Sequence, residues 1–419
     1  MTAHASGART FGDSVFDRAR AKVSVEGYLG GENVKVAKAG KDLRGACVLC
    51  DGGTTKFCIL GKHGQAKWVC YGCERHGDVV DLVAAHRRMA PYDAARWLLG
   101  EDVPHSAPAR VAKPAAPSGP STSDKVAAEI WKAAQPFAGS LAERYLIGRG
   151  IAPGVVMLAA PQLRYHASAK HHWDDDAGQW VRAPAMVAQV VTEGPDGAAV
   201  PTGGVHVTYL DRTTAGKATF RLRNGQFGGS KLMWGPQHGA DGRPGGAWLI
   251  SETPAAGSRL VNAEGIETAL SLATLAWRRG TAMRVCVALS LGRLQGGLLR
   301  DDDGCIDPWA PQPDPASPAF VWTPPADDPW PEVLIAVDRD MAEVKARMRT
   351  GRGKPVDARL TAEVRARICG RLATLAWKAA GAARVRAIAP PPGSDFNDDL
   401  RRVLAAADDK GLGECVRDR

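Results

Sequence analysis

Residues 259–265 read Arg-Leu-Val-Asn-Ala-Glu-Gly, a short apolar run that ends in an acid, Glu264. Acidic clusters follow two later apolar runs, at Asp338-Arg339-Asp340 and at Asp395-Phe396-Asn397-Asp398. From Trp248 onward, strand-like and helix-like segments alternate, which predicts a mostly parallel sheet covered by helices. The carboxyl ends of parallel strands meet at one edge of a sheet. Because acids gathered there repel one another unless cations lie between them, the pattern predicts a divalent-metal site.

Length and charge narrow the class of protein. The chain has 419 residues, enough for two or three domains. Its formal net charge of +9 favours a polyanionic partner such as nucleic acid, although charge alone is about equally consistent with a generic basic protein. The first residues lack the apolar segment of a signal peptide, and no apolar run reaches membrane-spanning length. We therefore expect a cytoplasmic protein without membrane contact.

Local composition divides the chain into regions. Residues 1–100 are expected to form a compact domain, and the proline-rich residues 101–124 a linker. Residues 125–246 have the mixed patterns of an α+β domain. Residues 247–410 have the alternation of an α/β domain, with a surface insertion rich in Pro, Asp and Trp at 300–331.

Hydrophobic periodicity and turn residues predict the individual elements. The expected helices span residues 125–134 (capped by Ser123-Asp124), 141–148, 266–279, 361–380 and 397–407. The expected strands span residues 185–192, 205–210, 218–222, 247–250, 260–263, 284–289, 333–337 and 384–389.

The cysteines of the first region have the spacing of a metal site. Cys47-x2-Cys50 and Cys70-x2-Cys73 are separated by 19 residues. Two such pairs are typical of a zinc ribbon, in which four thiolates bind one structural Zn²⁺ ion tetrahedrally. Cys58 lies between the pairs and is expected in the core or in a strand. The fold class expected from this pattern is a multidomain α/β protein with an N-terminal zinc ribbon, a middle α+β domain and a C-terminal parallel-sheet domain.

The zinc ribbon is basic, with five Lys or Arg and two acids between residues 44 and 76. Basic side chains can hold phosphates while aromatic rings stack on unpaired bases. The candidates for contact with single-stranded DNA are Lys67, Trp68 and Arg75. The alternative for Trp68 and for Tyr71 is that they pack the small core. That alternative is favoured for Tyr71, whereas the two roles are equally balanced for Trp68.

A family resemblance adds to this interpretation. The sequence from Cys70 to Asp78, with Val79-Val80-Asp81-Leu82 and the lead-in 41–47, resembles the zinc finger at the start of bacterial and phage DNA primases. That family commonly has His as its second ligand, where Cys50 stands here. Cysteine is an equally good zinc ligand. The resemblance implies that the finger reads a single-stranded DNA template.

The acidic runs resemble the motifs of the Toprim fold as it occurs in primases of mobile elements. The matching stretches are 263–271, 337–340 and 393–400, and residues 141–231 resemble the segment that precedes Toprim in that branch. Asp338 and Asp340 would then bind catalytic Mg²⁺ or Mn²⁺, and Asp395 and Asp398 would complete or orient its ligand shell. Glu264 would bind metal or accept the proton of the attacking 3′-hydroxyl.

Alternatives to these roles stay open. Glu264 could be an acid favoured by the start of a helix, and Asp340 a solvated loop residue. Glu267 is expected to form no more than a salt bridge. After Asp340 the chain departs from the family pattern, and the basic stretch 345–354 is equally consistent with a phosphate-binding segment and with a solvated loop.

Basic and imidazole side chains of the middle region are candidates for contact with template or triphosphate: Arg149, Arg164, His206, Lys217, Arg221 and Lys231. The polar run 171–176 is favoured as a hairpin or loop tip over a metal site.

The resemblance implies a DNA primase that makes short RNA primers on single-stranded DNA from nucleoside triphosphates, for a phage, plasmid or other mobile element. No Gly-x4-Gly-Lys-Ser/Thr loop occurs, so a replicative helicase of the primosome would be a separate partner. Two alternatives remain: a Toprim nuclease or topoisomerase, and a non-catalytic zinc-ribbon protein that binds single-stranded DNA.

Overall fold

The chain divides into two compact units, residues 1–116 and 117–419. The computed structural model describes residues 14–39, 42–50, 56–60, 67–71, 75–87, 89–101, 121–174, 177–194, 197–221, 227–251, 259–301, 303–324, 330–349 and 353–408. No helix among these residues is long and apolar enough to cross a membrane.

The first unit is an antiparallel sheet with helices on either side of it in sequence. Its described elements are α1 (Val15–Lys22), α2 (Val25–Gly31), β1 (Val36–Ala39), β2 (Asp42–Gly45), β3 (Phe57–Leu60), β4 (Lys67–Cys70), β5 (His76–Gly77), α3 (Val79–Arg87) and α4 (Pro91–Leu99). The strands follow one another in the sheet in chain order. Serine side chains cap α1 and α2, and Gly100 ends α4 in a left-handed conformation that glycine adopts without strain.

The second unit begins with helices packed on an antiparallel sheet. Its first elements are α5 (Thr122–Ala133), β6 (Gln135–Pro136), α6 (Leu141–Gly148), α7 (Pro153–Ala159), β7 (Leu163–Asp174), β8 (Gln179–Glu193), β9 (Ala199–Tyr209), β10 (Phe220–Arg221), β11 (Phe227–Gly228) and β12 (Lys231–Trp234). The main sheet has the order β12-β9-β8-β7-β6, and β10 pairs with β11. The run 171–176 falls at the end of the β7–β8 hairpin, as predicted, although residues 175–176 lie outside the described residues.

The helix α5 begins earlier than the sequence suggested. Ser121 and Asp124 form a reciprocal capping box, in which the side chain of each accepts a hydrogen bond from the backbone N–H of the other. The predicted cap at Ser123 is therefore wrong, and the last residues assigned to the linker are helical. The Ser123 hydroxyl instead accepts a hydrogen bond from the N–H of Gly235, at 2.8 Å.

The rest of the second unit contains the predicted mostly parallel sheet. Its elements are β13 (Ala247–Ile250), β14 (Arg259–Ala263), α8 (Ile266–Trp277), β15 (Met283–Val287), α9 (Leu291–Gln295), β16 (Gly297–Leu298), β17 (Pro313–Asp314), β18 (Val333–Ala336), β19 (Val344–Arg349), β20 (Pro355–Leu360), α10 (Ala362–Ala379), β21 (Val385–Ile388) and α11 (Phe396–Asp408). In the order β13-β15-β14-β18-β21, only β13 is antiparallel to its neighbour. Every residue of β18 is buried, since a central parallel strand is covered on both faces.

The two regions predicted as separate domains, 125–246 and 247–410, share one hydrophobic core. Tyr145, Leu163 and Met186 of the first region pack in the same cluster as Leu270 and Phe396 of the second. Burying these side chains in one cluster couples the two sheets energetically, because apolar surface that either region alone would expose is removed from water.

The segment 300–331 differs from the expected surface insertion. Phe320 and Trp322 are buried, and Trp322 stacks on Trp248 with ring centroids 4.4 Å apart. Ile306 is also buried and pairs with Met348 of β19. Part of this segment therefore belongs to the core, which explains the aromatic residues at Phe320 and Trp322.

Candidate functional site

The carboxyl edge of the parallel sheet holds the predicted acids. The register aligns Ala263 with Ala336 and Ala336 with Ile388, so the three strands end at the same level. Glu264 follows β14 directly, and Asp338 lies two residues beyond β18. Asp395 immediately precedes α11. The alternation of strands and helices in the sequence was enough to place these residues at one edge.

Asp338 is partly buried at this edge. Its Oδ2 accepts a hydrogen bond from the Thr268 hydroxyl at 3.1 Å, while its Oδ1 is buried without a partner among the described residues. Burial, reinforced by the negative charges of Glu264 and Asp395, raises the pKa of Asp338 to about 7. The acids are thus close enough to disfavour one another's charged forms, which is the condition that a bound cation would relieve.

The acids do not form a closed cage. In the part of the chain that the structure describes, only three cysteines bring three ligand atoms within 4.8 Å of one another. An open arrangement of acids is compatible with Mg²⁺. Proteins usually bind this ion through one or two carboxylates, with water and substrate phosphates as the other ligands. The buried Oδ1 of Asp338 and the hard oxygen donors at this edge fit such an ion.

Asp395 and Asp398 also have a structural role at the start of α11. The Asp398 N–H donates to Asp395 Oδ1 at 2.8 Å, and the Asp395 N–H donates to Asp398 Oδ2 at 3.4 Å. Between them, the fully buried Asn397 donates from Nδ2 to the carbonyl of Arg149 (2.8 Å) and to the Ser271 hydroxyl (3.0 Å). Asn397 therefore fixes α11 against α8, a role that the sequence analysis missed.

A buried glutamate lies beside the acidic edge and pairs with two lysines. Glu267, in the first turn of α8, has a side chain only 4 % exposed and lies 2.7 Å from Lys231 Nζ and 3.5 Å from Lys217 Nζ. The Tyr145 hydroxyl donates to the same carboxylate at 2.5 Å. Burial alone would raise the pKa of Glu267, but the two lysines outweigh it and hold this pKa well below its usual value. Glu267 does form a salt bridge, but as the centre of a buried network.

The network places a cation next to the acidic edge. A Cβ atom added to Gly265 would lie 3.5 Å from Lys231 Nζ. Lys231 therefore approaches the turn between β14 and α8, one residue from Glu264. Both lysines predicted as phosphate contacts lie together here, and both keep partly exposed side chains.

The other side chains of this unit that are predicted to contact template or triphosphate differ in their exposure and in their partners. His206 is buried, and burial together with the charge of Lys231 lowers its pKa to about 3, so its prediction as a nucleotide contact is wrong. The Arg164 guanidinium lies 4.0 Å from the ring centroid of Trp131, which it covers. Arg149 lies 4.0 Å from Asp395, near the acidic edge, and Arg221 is exposed on β10.

The cysteines of the first unit have the geometry of a zinc site. The ligand sulfurs of Cys47, Cys50 and Cys70 lie within 4.8 Å of one another, and the sulfurs of Cys50 and Cys70 are 3.6 Å apart. Zn–S bonds of about 2.3 Å at tetrahedral angles place sulfurs about 3.8 Å apart, so this spacing fits a shared zinc ion. It is far longer than a disulfide bond. Cys73, the predicted fourth ligand, lies outside the described residues.

The two aromatic residues of the finger differ in burial. Trp68 is 2 % exposed, stacks on Phe57 and donates its indole N–H to the carbonyl of Asp78 at 2.7 Å. Its prediction as a base-stacking residue is therefore wrong. Tyr71, expected in the core, is 55 % exposed. Cys58 is buried in β3, as predicted.

Two basic residues of the finger, Lys67 and Arg75, are also predicted to contact single-stranded DNA. The Lys67 side chain is largely exposed, with Nζ 3.7 Å from Asp78 Oδ2. Arg75 precedes β5, and its carbonyl accepts a hydrogen bond from the Cys70 N–H. Lys67 is thus available to a ligand at the surface, at the start of the strand that ends in Cys70.

Comparison with known families identifies this finger. Residues 12–107 match the family model described as the CHC2 zinc finger, which is the zinc ribbon of DnaG-type primases. The N-terminal region is therefore a primase-type zinc finger, and the resemblance seen in its sequence is confirmed. Residues 121–243 match a domain of unknown function, DUF7146.

The solved structures that are similar to this chain include two primase structures, both at low similarity. The zinc-binding and RNA polymerase domains of the Aquifex aeolicus primase are similar at a TM-score of 0.30 and 13% identity, over 96% of this chain and 85% of that one. The primase fragment of the bacteriophage T7 primase-helicase is similar at a TM-score of 0.29 and 11% identity, over 86% and 91%. Similarities this low carry no argument about fold or function. No curated protein sequence matches the chain.

Proposed function

We propose that this protein is a DNA primase that synthesises short RNA primers on single-stranded DNA. The observation that carries the proposal is the primase-type CHC2 zinc finger in the same chain as a parallel sheet whose carboxyl edge gathers acids around Asp338. The finger supplies a reason for single-stranded DNA, and the acids supply a place for nucleotidyl transfer. The resemblance to mobile-element primases extends the proposal to the replication of a phage, plasmid or similar element.

The residues would divide the chemistry as follows. Asp338 and Asp340 would hold Mg²⁺ or Mn²⁺, with Asp395 and Asp398 orienting that shell. When bound, the cation would offset the charge that develops on the triphosphate. Glu264 would accept the proton of the primer 3′-hydroxyl as its oxygen attacks the α-phosphate and pyrophosphate leaves.

The buried glutamate supports a complementary role for the lysines. Glu267 pairs with the ammonium groups of Lys217 and Lys231, and the Lys231 ammonium lies near Gly265, while part of each lysine side chain faces water. Ammonium groups fixed in this way would meet the incoming triphosphate without having to be ordered first. Arg149, beside Asp395, would add a third cation at the same edge.

In the finger, the exposed side chains support a choice of residues that would meet the template. Lys67 and Arg75 would contact phosphates, and the exposed Tyr71 rather than the buried Trp68 would stack on a base. Zinc would have a structural role, since four cysteines leave no open coordination position. A replicative helicase would be a separate partner.

The test is primer synthesis on single-stranded DNA with Mg²⁺ and labelled ribonucleotides. Short RNA products are expected, and the double variant Asp338→Ala with Asp340→Ala should make none while binding the template as tightly as the wild type. The control removes two exposed acids, Glu129→Ala with Asp241→Ala, and should keep full synthesis. Shortening of the template would instead indicate a nuclease, and binding without either product a non-catalytic DNA-binding protein.

A further inference from the structure

The positive charge of the chain is concentrated in one short segment. Residues 344–378 contain ten Lys or Arg and two Asp or Glu, a net charge of +8, whereas the whole chain carries +9. The remaining residues are therefore close to neutral as a group. A charge distribution of this kind creates a local positive potential, which attracts polyanions far more strongly than an even spread of the same charge.

The segment folds into a hairpin and a helix that share a small core. Ala346 of β19 and Leu360 of β20 are buried against Ile368 and Leu372 of α10. Because side chains alternate along a strand, Lys345 and Arg347 lie on the opposite, exposed face of β19. Residues 344–349 are therefore part of an ordered strand pair, so of the two alternatives for the basic stretch after Asp340 a solvated loop does not hold for these residues.

The helix adds a second row of cations. Arg367, Arg371 and Lys378 are exposed on α10, at spacings of four and seven residues that place them along one side of the helix. In the described part of the chain, Lys345, Arg347, Arg371 and Lys378 form no ion pair. By contrast, Arg349 is neutralised by Asp301 and Asp303, each at 2.6 Å.

An exposed tryptophan joins the hairpin to the helix. The N–H of Ile306 donates to the carbonyl of Arg347 at 2.8 Å, so the chain runs along the edge of β19. Three residues later, Trp309 is 74 % exposed, and the Arg367 guanidinium lies 4.0 Å from its ring centroid. One ring face thus meets Arg367, while the side chain as a whole remains mostly accessible to solvent.

We propose that Lys345, Arg347, Trp309, Arg367, Arg371 and Lys378 form a binding surface for single-stranded DNA, the hairpin surface. Unpaired cations on an ordered scaffold match the phosphodiester backbone, and an exposed indole stacks on unpaired bases. The hairpin starts four residues after Asp340 in the chain. That its strand is the template rests on the proposed function, but the binding itself does not.

Salt dependence of binding tests the surface without any synthesis. The affinity of the full chain for oligo-dT should be measured over a range of salt concentrations, without nucleotides. Each phosphate contact to a single strand contributes about −0.7 to the slope of log affinity against log salt. The variant Lys345→Gln with Arg347→Gln should therefore reduce the magnitude of the slope by about 1.4. The control Arg278→Gln with Arg279→Gln removes the same charge from an exposed helix end and should leave the slope unchanged.

Two further variants separate stacking and the finger from charge at this surface. Trp309→Ala should weaken oligo-dT binding by about tenfold with little change in slope, since stacking releases no counterions. The reduction in oligo-dT binding caused by Lys345→Gln with Arg347→Gln should persist when Cys70→Ser is also present, because the hairpin surface lies in the second unit. Equal slopes for the hairpin and control variants, or a loss confined to duplex DNA, would overturn the proposal. An inactive protein that still shows the expected slopes would refute only the proposed primase function.

Discussion

Replacing Glu267 by glutamine removes the charge that two lysines share. The glutamine keeps the size of the side chain and can still accept the Tyr145 hydrogen bond, so the main change is electrostatic. Lys231 and Lys217 would then face each other without the carboxylate that now lies 2.7 Å and 3.5 Å from them. Removing one partner of a buried ion pair typically costs about 3–5 kcal/mol. Because the lysine side chains are 32% and 37% exposed and can regain water, the low end, about 3 kcal/mol, is expected.

Urea unfolding measures this loss. With a denaturant slope of about 3 kcal/mol per molar, the midpoint should fall by about 1 M. The matched control is Glu363→Gln, which breaks an exposed pair with Arg339 and should cost less than about 1 kcal/mol. Adding Lys231→Met to the Glu267 variant should restore part of the stability, since one uncompensated ammonium is removed with its partner.

The pH dependence gives an independent check. The folded-state pKa of Glu267 lies well below its usual value, so its stabilisation is present above the unfolded-state pKa and is lost only as the pH falls through the lower folded-state pKa. The difference in unfolding free energy between wild type and Glu267→Gln should therefore stay constant from about pH 7 to pH 5. If the Glu267 variant lost no more stability than the Glu363 variant, the buried network would not hold the lysines in place.

Three further outcomes are expected. Cys70→Ser should lose the bound zinc, measured by metal analysis, and should unfold the first unit at a lower temperature; a wild type free of zinc would contradict the finger assignment. Tyr71→Ala should weaken binding to single-stranded DNA by about tenfold at unchanged zinc content, and unchanged affinity would exclude stacking there. Burial lowers the pKa of His206 to about 3, so between pH 6.5 and pH 4 the unfolded chain binds a proton that the folded chain excludes. The free energy of unfolding should fall by up to about 3 kcal/mol over that range. This fall should be smaller in His206→Gln, and an equal fall in the two proteins would contradict the burial of His206.

Much of the C-terminal fold could be predicted because its signals are local. The apolar runs before Glu264 and Asp338 are strands, and parallel pairing brings their carboxyl ends together whatever the helices contain. The network around Glu267 could not be predicted in the same way. Its lysines come from a loop and a strand of another sheet, and no local pattern shows which of many lysines will reach a given carboxylate.

The burial of Trp68 and the exposure of Tyr71 have a simple cause, which strand alternation in the sequence could have indicated. Cys70 must face the zinc and is buried, so the residue two positions earlier on β4 lies on the same face of the strand. That residue is Trp68. Tyr71 follows the end of the strand, where the alternation no longer applies, and its side chain is exposed.

The acids and the lysines belong to one cooperative structure, and this bears on how the edge could work. Lys217 and Lys231 come from the region with the antiparallel sheet, yet their counter-charge, Glu267, is on the helix that starts beside Glu264. The buried Asn397 likewise connects the helix after Asp395 to the backbone of Arg149. Shifting either sheet relative to the other would break hydrogen bonds to buried groups, which is costly because those groups cannot turn to water. The distance between the acids and the lysines is therefore set by the packing of the whole unit, so both charges can be in place before any ligand arrives.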